Sequence, residues 1–219
     1  MIYLERYLRG GLAQASDKVT LPKLGARMAV IFQPPVDPDH SGLYVVSANA
    51  GFQSSLLFWT EAQRSGIGFA NPELFPWTLA NAPGGWLARH FGIRGPNATY
   101  TGQVEALFAA LEQAGEDLTE KRIDTAWIVA VDFAQTPAQR TQFGVLRLSL
   151  RPSGVWLEPM VKAVSRRGRL PRASAALFKM FAALQQGQST ALSCQGTAWV
   201  VTHKETQGSG WNESSLPIK

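Results

Sequence analysis

Short apolar runs, helical stripes and turn residues alternate along the chain and predict a layered α/β domain. Leu43 to Ala48 (LYVVSA) is β-branched and apolar and ends at Asn49-Ala50-Gly51, as a buried strand does. Leu56 to Arg64 predicts a helix that Ser54 or Ser55 can cap and Gly66 closes. The stretch from Asn71 to Ala114 reads as a loop, a helix packed through small residues, a Gly-Pro turn, the strand Ala98 to Thr101 and a second helix. That second helix starts near Gln103 and carries Val104, Leu107, Phe108 and Leu111 at i, i+3, i+4 and i+7, with Gly115 as its expected end. Thr125 to Phe133 (TAWIVAVDF) is almost continuously apolar, the pattern of a central strand covered on both faces.

The outer parts of the chain are patterned differently. Arg6 to Gln33 alternates short apolar and basic groups and predicts a helix around Leu24 to Phe32, stopped by Pro34-Pro35. Phe143 to Arg151 places Leu146, Leu148 and Leu150 on one face and Arg147, Ser149 and Arg151 on the other, and Val155 to Leu157 is expected to pair back as a hairpin with one wetter face. Leu177, Met180, Phe181 and Leu184 mark a helix, and Ala198 to Thr202 a final strand. Together these elements predict a mixed sheet of about five strands flanked by helices, connected by right-handed crossovers. Residues 1–219 read as a single domain with 203–219 as a loose tail.

Composition narrows the function classes. A chain of 219 residues with a formal charge of +5 is long enough for one sizeable core. It contains no run of about 18 apolar residues, so no membrane span is expected. Glu5 interrupts the apolar N-terminus, which argues against a signal peptide and for the cytoplasm. The lone Cys194 excludes an internal disulfide and reads as a buried structural thiol. His40, His90 and His203 are scattered without metal-ligand spacing, so neither a metal nor another cofactor is expected. Positive charge gathers in Lys162, Arg166, Arg167, Arg169 and Arg172, with no acid between them. Such a cluster suits either a solvated loop or the docking of an acidic partner. Nucleic acid fits less well, because aromatic residues do not interleave with the charges.

The chemistry centres on the bend at Gly102-Gln103. A strand that turns abruptly into a helix puts one side chain at the helix N-terminus, where free N–H groups favour negative charge. Enzymes that form acyl intermediates place a nucleophile at such bends. Gln103 stands there instead, and a carboxamide cannot form a thioester.

The surrounding motifs carry a resemblance. Asn71-Pro72 with Phe75, then Asn81-Ala82-Pro83-Gly84-Gly85, then Phe91-Gly92-Ile93-Arg94-Gly95-Pro96-Asn97 occur in the order seen in the N-terminal half of β-ketoacyl synthases. The sequence resembles that family best over 43–133. The resemblance implies one half of a thiolase-like layered fold, with Gln103 or Gly102 at the position of the nucleophilic cysteine. It also implies two catalytic histidines and a lysine in a C-terminal half, and none of this chain's histidines matches them. Two kinds of ketosynthase relative carry glutamine at that position: the non-condensing chain-length factor of type II polyketide and aryl-polyene systems, and the decarboxylating ketosynthase. Without the histidines to stabilise an oxyanion, the chain-length factor is the better match.

The resemblance therefore implies a subunit that is not catalytic alone and pairs as a heterodimer with a full-length ketosynthase, shaping its acyl tunnel. The expected interface and tunnel residues are Phe75, Trp77, Trp86, Thr99, Tyr100, Thr101 and Gln103. The bulk of Trp86 is a candidate limit on chain length. The alternatives are an enzyme acting on a malonyl or acyl thioester through Gln103, and a module that binds an acyl carrier protein through Arg166, Arg167, Arg169 and Arg172.

Overall fold

The computed structural model describes residues 1–13, 17–29, 37–136, 138–153, 155–160, 172–194 and 197–203. Its first element is β1 (Ile2–Leu12), where the sequence pattern suggests no strand. The reason is a bulge between Leu4 and Arg6 that shifts the register against its neighbour. Leu4 and Tyr7 therefore pack on one side of the sheet, and Leu8 and Leu12 on the other. A period-2 reading cannot see through that slip. The helix α1 (Asp17–Met28) follows, earlier in the chain than its apolar residues suggest, with Pro22 inside it.

The central elements follow their patterns closely. They are β2 (Ser41–Ser47), α2 (Phe52–Ser65), two short 3₁₀ turns (Ile67–Phe69 and Phe75–Thr78), α3 (Ala82–Phe91), β3 (Asn97–Thr101), α4 (Val104–Thr119) and β4 (Thr125–Asp132). Strands β2, β3 and β4 are parallel, with β2 between the other two. Helix α4 does not stop at Gly115, because the missing side chain there leaves room for Ile2: a Cβ would stand 2.7 Å from its Cδ1. Nor does Ser54 or Ser55 cap α2. Its first turn opens from Gly51 in a left-handed conformation. Gly66 does close it, donating its N–H to the Ala62 carbonyl.

The later strands are β5 (Thr141–Ser149) and β6 (Val155–Met160), followed by α5 (Ala173–Gln185), β7 (Thr190–Cys194) and β8 (Thr197–His203). The sheet has eight strands, in the order β3-β2-β4-β5-β1-β6-β8-β7, where about five are expected from sequence. The expected hairpin is absent: β1 lies between β5 and β6 and pairs antiparallel with both. Nor is the Arg147 face of β5 wet. Arg147 lies against the Trp127 ring and is paired with Glu5 at 2.7 Å, on the side where Phe143 and Val145 are buried. Burial pulls the Arg147 guanidinium below its ordinary pKa.

Two cores result. Helices α4 and α5 cover one face through Leu107, Leu111, Leu177 and Phe181, while α1 and α3 cover the other through Leu21, Leu24 and Leu87. Among the described residues no helix is long and apolar enough to cross a membrane. Residues 204–219 of the expected tail lie outside the described residues, and Cys194 ends β7 opposite Thr197.

Candidate functional site

The C-terminal ends of the parallel strands form one tied edge, the place where α/β sheets hold ligands. The Gly102 N–H donates to the Ser47 carbonyl at 3.2 Å and so joins the end of β3 to that of β2. Asn49 then bridges to β4: its Nδ2 donates to the Phe133 carbonyl at 2.6 Å, and its Oδ1 accepts from the Phe133 N–H at 3.0 Å. The Gln53 Nε2 reaches the Gln135 carbonyl at 2.9 Å.

The bend itself requires glycine. Gly102 has φ +153°, and a Cβ there would stand 3.1 Å from that of Ala106. Gln103 is the N-cap residue of α4, and its side chain makes no capping hydrogen bond. Its own N–H donates to Glu105 Oε1 at 2.9 Å. A carboxylate two residues into the helix therefore folds back over the start of α4, where the helix dipole favours it. The chain thus supplies its own anion to the start of α4. Sequence reasoning passed over Glu105, although an acid in a first helical turn is a recognised signal.

The expected residues fall into separate groups. Thr99, Tyr100 and Thr101 lie in β3, the outermost strand, which pairs with β2 on one side and with nothing among the described residues on the other. Ala98 and Tyr100 pack toward α4, and burial raises the Tyr100 phenol above its ordinary pKa. On the opposite face, Gly84 brings α3 against β3: a Cβ there would stand 2.9 Å from Thr99 Oγ1, and Asn97 Nδ2 donates to the Gly84 carbonyl at 3.3 Å. Phe75 is exposed, with its ring 6.0 Å from that of Phe58. Trp77 packs against the α1–α3 core. Trp86 stacks on His90 with centroids 4.6 Å apart and faces Gly25 of α1. Arg172 is the N-cap residue of α5; Lys162, Arg166, Arg167 and Arg169 lie outside the described residues.

The histidines lie away from the bend. His40 precedes β2 and His90 lies in the last turn of α3, both at the opposite end of the parallel strands, and His203 ends β8 toward the other edge of the sheet. The Gly95-Pro96-Asn97 turn is structural, since a Cβ on Gly95 would overlap the Ser41 carbonyl at 2.3 Å. Arg94 grips Asp39 through Nε at 2.7 Å and Nη2 at 2.6 Å, which holds the Asp39 carboxyl below its usual range.

Two buried carboxylates also escaped the sequence reading. Asp117 of α4 accepts from the Tyr44 hydroxyl and from Arg122. Burial and that hydrogen bond push the Tyr44 phenol well above its ordinary value. Asp132, at the end of β4, accepts from the Ser174 hydroxyl and from the Ser174 N–H at 3.3 Å, capping α5 from a distant part of the chain. Only the fold brings Tyr44 and Ser174 to these carboxylates.

This architecture has clear counterparts among solved structures. A ketosynthase (ApeO) in complex with its chain length factor (ApeC) from Xenorhabdus doucetiae matches with a TM-score of 0.58 at 13% identity, over 85% of this chain and 81% of the other. The chain has a ketosynthase-like fold. The ishigamide ketosynthase/chain length factor matches this ketosynthase-like fold with a TM-score of 0.50 at 13% identity, over 71% of this chain and 48% of its own. A type II acyl-carrier protein in complex with its ketosynthase, AntDE:AntF, matches with a TM-score of 0.53 at 13% identity, over 62% and 44%. The chain thus spans about half the length of two of these neighbours and most of the third. No protein-family model matches it. No curated protein matches it by sequence.

Proposed function

We propose that this chain is a non-condensing, ketosynthase-like subunit, a chain-length factor that pairs with a full-length β-ketoacyl synthase. The observation that carries the reading is the bend at Gly102-Gln103. The strand turns abruptly into the helix there, Gln103 stands where the resemblance would put a nucleophile, and the Gln103 N–H is engaged by Glu105. The structural neighbours that include chain length factors support it.

Pairing would use the outer edge of β3, whose backbone groups, unpaired among the described residues, are a template for a partner strand. The β3 residues Thr99, Tyr100 and Thr101 would then meet the partner, with Gln103 at the end of its acyl tunnel. A decarboxylase acting through Gln103 is disfavoured by the same contact. A thioester carbonyl would have to displace Glu105 to reach that helix start, and no histidine stands near it to polarise the carbonyl.

Native mass of the chain alone and with the ketosynthase from the same genome tests the reading. The expected result is a one-to-one complex and a shift in the partner's product length when this chain is withheld. A chain that stays apart from the ketosynthase, with product length unchanged, would refute it. Carbon dioxide released from malonyl-carrier protein, and lost in Gln103→Ala, would favour the decarboxylase instead.

A further inference from the structure

Helix α2 is built inside out. Its buried positions are Ser54 and Ala62, and the Ser54 hydroxyl has no hydrogen-bond partner among the described residues. Phe52, Leu56 and Trp59, at i, i+4 and i+7, form a stripe that faces outward. The exposure continues into the two 3₁₀ turns that follow. Of the ten large apolar side chains exposed among the described residues, eight lie between Phe52 and Leu79, including Trp59 at 60%, Ile67 at 64% and Phe69 at 80%.

We propose that this outward face of α2 and its two 3₁₀ turns is the main apolar docking surface for the ketosynthase partner, an inference that rests on the pairing proposed above. Size is the first argument. With about 200 Å² for a fully exposed aromatic ring, the eight side chains present on the order of 800 Å². Summed over α2 and the turns packed on it, that is comparable to the ~800 Å² that each partner of a stable complex buries.

Position is the second argument. β3 is five residues long and mostly polar (Asn97-Ala98-Thr99-Tyr100-Thr101), so pairing along its edge buries little apolar area. α2 starts a few residues beyond β2, whose last residue is bonded to Gly102 at the end of β3. The apolar area that the β3 edge lacks therefore lies at the same end of the sheet.

The rim is the third argument. Lys18 and Glu73 pair at 2.8 Å beside the turns, and Glu61 accepts from the Asn71 N–H at 3.0 Å, which gives an apolar centre with a polar border. A lipid surface fits less well, because a membrane-lying helix sets Lys and Arg on its polar face, and α2 has Arg64 alone, with Glu61 beside it.

The double variant Trp59→Glu, Phe69→Glu tests this. Both side chains are exposed, so the isolated variant should melt within a few degrees of the parent. Sedimentation with the ketosynthase should show affinity reduced by about a hundredfold or more, as for the loss of central aromatic anchors. Undiminished binding by a folded variant would overturn this surface while leaving the pairing reading intact. Failure of the parent chain to bind the ketosynthase would overturn both. Loss of a homodimer, or of sedimentation with vesicles of phosphatidylcholine and phosphatidylglycerol, in place of any ketosynthase effect would assign the face to a second copy or to lipid, and so overturn the proposal too.

Discussion

Helices α2 and α4 each leave the C-terminal end of a parallel strand, yet they are finished in opposite ways. α4 buries Val104, Leu107, Phe108 and Leu111, ties Asp117 to Tyr44 and Arg122, and closes its start with Glu105. α2 turns Ser54 and Ala62 inward and its large apolar side chains outward. The first helix is complete within its own chain. The second leaves its apolar face uncovered among the described residues. Hydrophobic patterning alone does not distinguish them, because it reports how much apolar surface a helix carries and not which side the fold claims.

The strongest test of this contrast is a pair of leucines. Leu107 is fully buried in the α4–α5 core, so Leu107→Ala should lower unfolding stability by about 2–5 kcal/mol through lost transfer energy and the cavity left behind. Leu56→Ala, on the exposed stripe, should change the isolated chain by no more than about 0.5 kcal/mol. Denaturant midpoints of the two variants decide it. Equal losses would mean that α2 is covered by its own chain after all.

The far end of α4 gives the next effect. Tyr44→Phe leaves the buried Asp117 without one donor and should destabilise by about 1–3 kcal/mol. The pH dependence has a definite sign. The Tyr44 phenol is raised in the folded chain above its ordinary value near 10. The folded state therefore holds its proton more tightly than the unfolded state, and the associated stability is intact below pH ~10 and lost as pH rises beyond it. Unfolding of the parent and of Tyr44→Phe should converge on the alkaline side. Parallel profiles up to the alkaline limit of folding would show that the hydroxyl contributes nothing to the difference.

These residues also show how far the sequence could be read. In the parallel unit, β2 and β4 were legible because they are nearly uninterrupted apolar runs and α4 because it carries a regular stripe, while the mostly polar β3 was legible only from the Gly-Pro turn before it and the bend after it. The β1 strand was not, since the slip between Leu4 and Arg6 breaks its period, and without β1 the order of the outer strands could not be worked out. The bend at Gly102-Gln103 was visible from local chemistry. Glu105, two residues on, was within reach of the same reasoning. Asp117 and Asp132 were beyond it, because their partners Tyr44 and Ser174 lie 73 and 42 residues away. The outward turn of α2 is not read from its spacing, because an apolar stripe does not say which side of the helix the fold buries.

Backbone strain at the bend ranks third. Gly102→Ala forces a side chain into φ +153° and against Ala106, so a loss of about 1–2 kcal/mol is expected, visible as a lower melting temperature. Gly68, in the first 3₁₀ turn, has open space where a Cβ would go, and Gly68→Ala should leave the melting temperature close to that of the parent. The bend and the exposed face would thus respond oppositely to the same added methyl group.

Glu105 carries the smallest effect and the sharpest meaning. Its carboxylate is exposed, so the contact with the Gln103 N–H adds only about 0.5–1 kcal/mol to helix stability. Glu105→Gln keeps the length and a hydrogen-bonding oxygen but removes the charge, and should give less than half of that loss, while Glu105→Ala should give all of it. If the bend is a nucleophile site retained for its shape, neither variant gains activity: malonyl-carrier protein should remain intact with both. Turnover that appears in Glu105→Ala, with Gln103 in place, would mean that Glu105 masks a working helix start. The distinction between α4 as a finished helix and α2 as an unfinished one would then have to be redrawn, because both would be waiting for a ligand.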